Sequence, residues 1–390
     1  MTDAAQPVRS LAVLTTGRQD WGILRSTCTA LRARPGFRLE VVAGGMHLSA
    51  SHGHTVDQVR ADGFEPAELP WIDDDDATPA DVQAARALEA FGGYLRARKP
   101  DAVLLVGDRF ETAAAALAAT VDRVPIAHLH GGEQTLGAFD DALRHATTKL
   151  AHLHLVSHEE HAQRVVAMGE DPACVHVVGA PGLDAAFRPD LLDAEALGAE
   201  LGIALRPPVV IVTVHPATLA EDPAADVRAV VAAMRTVPAT YVVTMPNVDP
   251  GADPIRTELL GAVAAAPTGT AIAAEALGER RYWSLLRLAD AMIGNSSSGI
   301  VEAPAVGLPV VNVGDRQAGR LRWSNVIDAT ADPAAVTAAL RRALDPAFRV
   351  AAQTGNLPLA DGRAGERVAD IIASWHPSRP PRKRPIPIAP

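Results

Sequence analysis

Acidic and imidazole side chains crowd three short segments in the first half of the chain. They are Gly107-Asp108-Arg109-Phe110-Glu111, His128-Leu129-His130-Gly131-Gly132-Glu133 and Phe139-Asp140-Asp141-Ala142-Leu143-Arg144-His145. Carboxylates brought to one place raise one another's pKa, which leaves a proton on at least one of them near neutrality. A neutral acid beside an ionised base is what proton transfer requires. The same side chains also ligate metals, but no short His-x-x-x-His or Asp-x-Asp pair accompanies them, which disfavours a di-metal site. His215, in Val212-Thr213-Val214-His215-Pro216, is a further candidate, with a buried, satisfied histidine as the alternative reading.

The second half offers donors for an anion. Gly294-Asn295-Ser296-Ser297-Ser298-Gly299 follows the apolar run Ala291 to Ile293 and precedes a helical stretch ending near Val306. Small residues at a strand-to-helix turn leave amides pointing outward, and the hydroxyls of Ser296 and Ser297 add donors for a phosphate. The bland alternative is a serine cap on an ordinary helix. Glu302, one turn further on, is placed to accept from ribose hydroxyls, or is simply a favourable charge in a first helical turn. Arg18, in Thr16-Gly17-Arg18-Gln19-Asp20, and Arg316, in Gly314-Asp315-Arg316-Gln317, each follow an expected strand. A planar guanidinium at a strand end suits a diphosphate.

Short β-branched runs alternating with Ala-rich helical stretches must position these groups. That rhythm predicts an α/β chain with parallel sheets covered by helices on both faces. The first half places strands at Leu11 to Leu14, Leu39 to Val42, Ala102 to Val106, Ile126 to Leu129, Leu153 to Val156 and Val175 to Val178. The second places them at Val209 to Val214, Thr240 to Val243, Thr270 to Ala273, Ala291 to Ile293 and Val310 to Val313. Pro79 to Ala97 reads as a helix with Thr78 as its N-cap. The pattern blurs between Leu183 and Pro208, which reads as a linker. Two Rossmann-like domains, residues 1–185 and 206–362, are thus expected to face a cleft. A helix within 363–376 could cross back to the first, and a Pro/Arg-rich segment, 377–390, reads as a solvated tail.

The 390 residues exceed the roughly 150 of one average domain, in line with two. A formal net charge of −10 argues against nucleic acid or an anionic membrane as the main partner, yet leaves room for a small anion gripped by a few arginines. Cys28 and Cys174 are too few for a disulfide framework and lack zinc-site spacing. With no signal-type apolar segment near the start and no run of about 18 apolar residues, a cytoplasmic location is expected.

Taken in order, the segments resemble the hydrolysing UDP-N-acetylglucosamine 2-epimerases, in particular their sialic-acid-pathway branch. The carriers are Gly17 to Gly22, Gly44 to Ser49, Gly107 to Glu111, His128 to Glu133, Asp140-Asp141 with Arg144-His145, Lys149 to Val156 and Gly179 to Gly182. Further on they are Pro246-Asn247 with Asp249, Gly294 to Gly299 with Glu302, and Gly314 to Arg320. The resemblance spans nearly the whole chain and implies the two-Rossmann-domain architecture of B-type glycosyltransferases. It implies loss of the C2 proton with departure of UDP, an enzyme-bound 2-acetamidoglucal, then addition of water at C1 and return of a proton at C2 from the other face. Neither metal nor nicotinamide enters that reaction, and a homodimer or homotetramer is the implied assembly. Asp108, His130, Glu133, Asp140, Asp141 and His215 would carry the chemistry, while Arg18, His47, Asn247, Ser296, Ser297, Glu302 and Arg316 would bind the nucleotide sugar, with Glu302 on the ribose.

The sequence departs from the family pattern at three places. The position of His130 is a glutamate in several members, Gln19-Asp20-Trp21 replaces the usual Ala-Asp-Tyr, and Met245 replaces a common tyrosine. The expected substrate is UDP-GlcNAc, giving ManNAc and UDP, with UDP-diacetamido-bacillosamine as the close variant. A glycosyltransferase on the same architecture is the rival from another reaction class, though it would not need so many carboxylates around the sugar. A sensor that has lost catalysis is the third, against which the intact acid cluster speaks.

Overall fold

Strands buried on both faces need apolar residues at every position, and Leu11 to Leu14 meets that demand. Leu11 and Val13 enter one core with Leu24, Cys28 and Leu31, while Ala12 and Leu14 enter another with Phe91, Leu95 and Ala116. The computed structural model describes residues 8–73, 78–134, 140–216, 222–246, 252–275, 277–354, 358–378 and 380–383. The chain divides into unit 1, Met1–Asp184 with Pro358–Pro390, and unit 2, Ala185–Leu357.

Unit 1 contains β1 (Arg9–Thr15), β2 (Phe37–Gly44), β3 (Ala67–Leu69), β4 (Ala102–Val106), β5 (Ile126–Leu129), β6 (Leu153–Val156) and β7 (Val175–Val177). Among the described residues these form one parallel sheet in the order β3-β2-β1-β4-β5-β6-β7. Unit 2 contains β8 (Val209–Thr213), β9 (Thr240–Thr244), β10 (Ala271–Ala274), β11 (Ala291–Gly294), β12 (Val310–Val313) and β13 (Val326–Ala329). Its parallel sheet runs β10-β9-β8-β11-β12-β13. Each order reverses once, between β1 and β4 and between β8 and β11, which is the doubly wound pattern.

Helix Ala364–Ser374 belongs to unit 1, where Val368, Ala369 and Ile372 join the core of β1 and helix Arg18–Arg32. Arg9 ties its end by donating from Nη1 to the Trp375 carbonyl at 2.5 Å and from Nη2 to that of Ala373. Helix Ala80–Arg98 starts one residue later than expected, because Pro79 occupies the cap in extended backbone (φ −57°, ψ 147°). Thr78 instead donates to Asp73 at 3.3 Å. The stretch 183–208 is structured rather than a bare linker, holding a 3-10 turn at Pro181–Phe187 and a helix at Ala194–Leu201 capped by Asp193. The solvated-tail reading needs correction at Lys383, which pairs with the buried Glu170 at 2.6 Å and with the Lys149 carbonyl at 2.5 Å.

Candidate active site

In unit 1 the candidate groups gather where the topology puts a ligand crevice, beyond the carboxyl ends of β1, β4 and β5. Asp108 follows β4, His130 and Glu133 follow β5, and Asp140 and Asp141 open helix Asp140–Leu150. A guanidinium holds the first two loops together. Arg144, 7% exposed at its side chain, donates from Nη2 to Asp108 and from Nη1 to Glu133 at 3.1 Å. Arg144 belonged to the sequence cluster, but its bridging role follows only from helix phase.

Glu133 Oε1 lies 2.6 Å from His130 Nδ1 and 2.7 Å from Ser157 Oγ. Burial alone would raise this carboxyl, but the charge His130 carries when protonated, the His130 hydrogen bond and the charge of Arg144 outweigh it and hold it well below the usual range. Glu133 is therefore an ionised acceptor at neutral pH, not a proton-bearing acid. His130 Nε2 is buried and has no hydrogen-bond partner among the described residues. Its backbone sits in the left-handed region (φ +66°), an uncommon conformation for a residue with a Cβ.

Asp140 is shifted the other way from Glu133, since burial and then the charge of Asp108 push its carboxyl upward. Asp141 faces His145 Nε2 at 3.4 Å. Arg109, next to Asp108, is committed to the buried Glu111 through two bonds of 3.1 and 2.8 Å.

His47 is fully buried, with Nε2 2.8 Å from Thr15 Oγ1 and Nδ1 2.8 Å from Thr55 Oγ1. Burial lowers its pKa to about 4, so it is neutral and braces the end of β2 with both ring nitrogens engaged. Arg18 is exposed at the first residue of its helix, while Asp20 turns inward and accepts from the Thr16 amide at 2.9 Å and hydroxyl at 2.6 Å.

In unit 2 one residue organises the corresponding ends of β8, β11 and β12. Asn295, fully buried, accepts from the His215 amide at 2.7 Å and donates to the His215 carbonyl at 2.9 Å and to Asp226 at 2.8 Å. Its own carbonyl accepts from Arg316 Nη1 at 3.2 Å and Gln317 Nε2 at 3.0 Å. Gly294 just before it has φ +141°, and a Cβ there would overlap the Thr213 carbonyl, so only glycine fits.

The helix after the serine loop is shorter than expected, Ser298–Val301, before a 3-10 turn at Ala303–Val306. Little macrodipole remains there, and the amides of Ser296 and Ser297 make no hydrogen bond among the described residues. Ser298 is held by Tyr282 through a hydroxyl pair. Burial raises the Glu302 carboxyl. Asn247 lies outside the described residues.

The sequence profile of the family described as UDP-N-acetylglucosamine 2-epimerase matches residues 29–373. The chain belongs to this family. Its similarity to a UDP-N,N'-diacetylbacillosamine 2-epimerase (hydrolyzing) of Legionella pneumophila is 33% identity over 369 residues, 94% of this chain and 96% of the relative. With a GDP/UDP-N,N'-diacetylbacillosamine 2-epimerase (hydrolyzing) of Campylobacter jejuni it is 32% over 323 residues, 82% and 84%. With polysialic acid biosynthesis protein P7 of Escherichia coli it is 29% over 377 residues, 95% of each. The structure of a Neisseria meningitidis UDP-GlcNAc 2-epimerase bound to UDP-GlcNAc superposes with a TM-score of 0.73 at 16% identity, covering 94% of this chain and 100% of that one. The calicheamicin glycosyltransferase CalG4 gives 0.57 at 16%, covering 94% and 98%. These likenesses show the fold, two Rossmann-like domains of the class shared by these epimerases and B-type glycosyltransferases. Among the described residues of this epimerase-family chain, no helix is long and apolar enough to cross a membrane.

Proposed function

We propose that this chain hydrolyses and epimerises a UDP-2-acetamido sugar, with UDP-GlcNAc and water giving ManNAc and UDP. The observation that carries the reading is the bare, buried Nε2 of His130 beside an ionised Glu133. An unsatisfied buried nitrogen is costly unless a ligand supplies its partner. His130 takes the C2 proton as the C1–O bond to UDP breaks, which leaves 2-acetamidoglucal, and Glu133 stabilises the imidazolium that forms. Water oxygen then bonds to C1 while Asp140 gives a proton to C2 from the opposite face. The water's proton restores Asp140, and His130 returns its own to solvent. Asp108, held by Arg144, sets negative charge against the oxocarbenium character at C1. In unit 2, Ser296, Ser297, Arg316 and His215 take the diphosphate and Glu302 takes the ribose.

A second reading, UDP-N,N'-diacetylbacillosamine as substrate, is favoured by the two relatives of that name at 32% and 33% identity. Each UDP sugar is incubated with the protein in deuterated water and followed by NMR. UDP release with deuterium at C2 of the free sugar supports the reaction, and the faster substrate identifies the sugar. UDP release without C2 exchange, or release only when an acceptor is added, sinks it in favour of a transferase.

A further inference from the structure

We infer that Ser157 and His161 form an outer arm that holds the Glu133 carboxylate against His130 Nδ1, making Ser157 a positioning residue for proton transfer at C2. The inference rests on the reading of His130 given above. Glu133, being ionised, can only accept. The Ser157 hydroxyl must therefore donate to Glu133 Oε1, across 2.7 Å, and its oxygen is left to accept from His161 Nδ1 at 2.9 Å. His130 Nδ1, 2.6 Å from the same Oε1, must also be protonated. One direction of donation thus runs from both ends toward Glu133, and it leaves the lone pair of His130 on Nε2, the nitrogen without a partner among the described residues.

The arm is seated rigidly. Gly132 has φ +78°, and a Cβ there would overlap the His161 carbonyl, so the loop after β5 lies directly on the backbone of helix Glu159–Ala167. Arg164 of that helix donates to the Gly132 carbonyl. His158, the cap of the helix, accepts from the Glu160 amide at 3.2 Å and sets its ring edge-on to His161, 5.8 Å between centroids. Ser157 directly precedes the capping His158, so this helix start sets its backbone position.

The test is nitrogen NMR of histidine-labelled protein together with steady-state kinetics. In the wild type, His130 is expected as its Nδ1–H form. Ser157→Ala removes the donor that orients Oε1, so the carboxylate is free to turn away from His130 Nδ1 and the Nε2–H form gains population. Turnover then falls roughly 10-fold, as loss of one charge-assisted hydrogen bond predicts, with KM nearly unchanged. Ser157→Thr, which keeps the hydroxyl, restores both signals. His161→Phe shifts the spectrum in the same direction by less, and serves if Ser157→Ala does not fold. An unaltered His130 spectrum in a folded Ser157→Ala or His161→Phe protein overturns the inference, as does failure of a folded Ser157→Thr to restore it. His130→Gln with wild-type deuterium exchange at C2 would instead overturn the catalytic reading, whatever the spectra of the other variants.

Discussion

Glu133→Gln changes one atom, yet the structure makes it severe. The carboxylate receives three donors, His130 Nδ1 at 2.6 Å, Ser157 Oγ at 2.7 Å and Arg144 Nη1 at 3.1 Å. Glutamine offers one oxygen and one NH2 group. With the oxygen kept toward His130 and Ser157, the amide nitrogen faces Arg144, donor against donor, and the guanidinium retains only Asp108 of its two carboxylates. With the amide reversed, His130 Nδ1 and Ser157 Oγ must turn from donors to the carboxylate into acceptors from a neutral NH2 group. The better orientation still forfeits a charge-assisted bond, worth about 1.5–3 kcal/mol, and leaves a buried charge partly uncompensated, so destabilisation of about 2–4 kcal/mol is expected near pH 7. Urea unfolding measures it. Because the folded carboxyl lies below its ordinary value, its contribution is fully present above the unfolded pKa of about 4.3 and is lost as pH falls through the folded value. The gap between wild type and variant must therefore narrow on acidification below about pH 4.3. A variant within about 0.5 kcal/mol of wild type at pH 7, or a gap unchanged down to about pH 3, would refute this account of Glu133.

Asp108→Asn should abolish release of the epimerised sugar while UDP affinity, read by calorimetry, stays near wild type; collapse of UDP binding would remove Asp108 from the sugar chemistry. Arg316→Ala is expected to weaken UDP roughly 10-fold or more through loss of a phosphate contact, and unchanged affinity excludes it from the grip. Gly294→Ala puts a methyl group into the Thr213 carbonyl at a φ of +141°, so destabilisation beyond about 3 kcal/mol is expected. A variant that melts with wild type would show that β8 and β11 can separate there without cost.

Strands buried on both faces were the most legible feature, because Ala102–Val106 has no polar position to confuse the period and Val209–Thr213 has one only at its last residue. The two strands missed are β3 and β13, both at sheet edges, where Ala67–Leu69 and Val326–Ala329 are short and only partly buried. An edge strand is specified mainly by its neighbour's free backbone groups, which composition does not report. The site was legible as a set of residue types and not as a set of pairings. His130 and Glu133 stand three apart, whereas the second donor to the same carboxylate oxygen, Ser157, lies beyond the next strand. His47 carried no local mark of being fully engaged by threonines 32 and 8 positions away. Asn295 sat inside a motif read for its serines, and its hold on His215 depends on β11 pairing beside β8.

The two units are threaded differently through the chain, since unit 2 is one continuous stretch while unit 1 is closed by its last helix. During synthesis, residues 185–357 emerge from the ribosome as a finished module and have all their own sheet partners at hand. The first 184 residues wait with the faces of Leu24, Cys28 and Leu31 lacking Val368 and Ile372 until the helix near the other end arrives. The loops that carry Asp108, His130 and Glu133 thus ride on a nascent unit whose core stays open until that helix has been made.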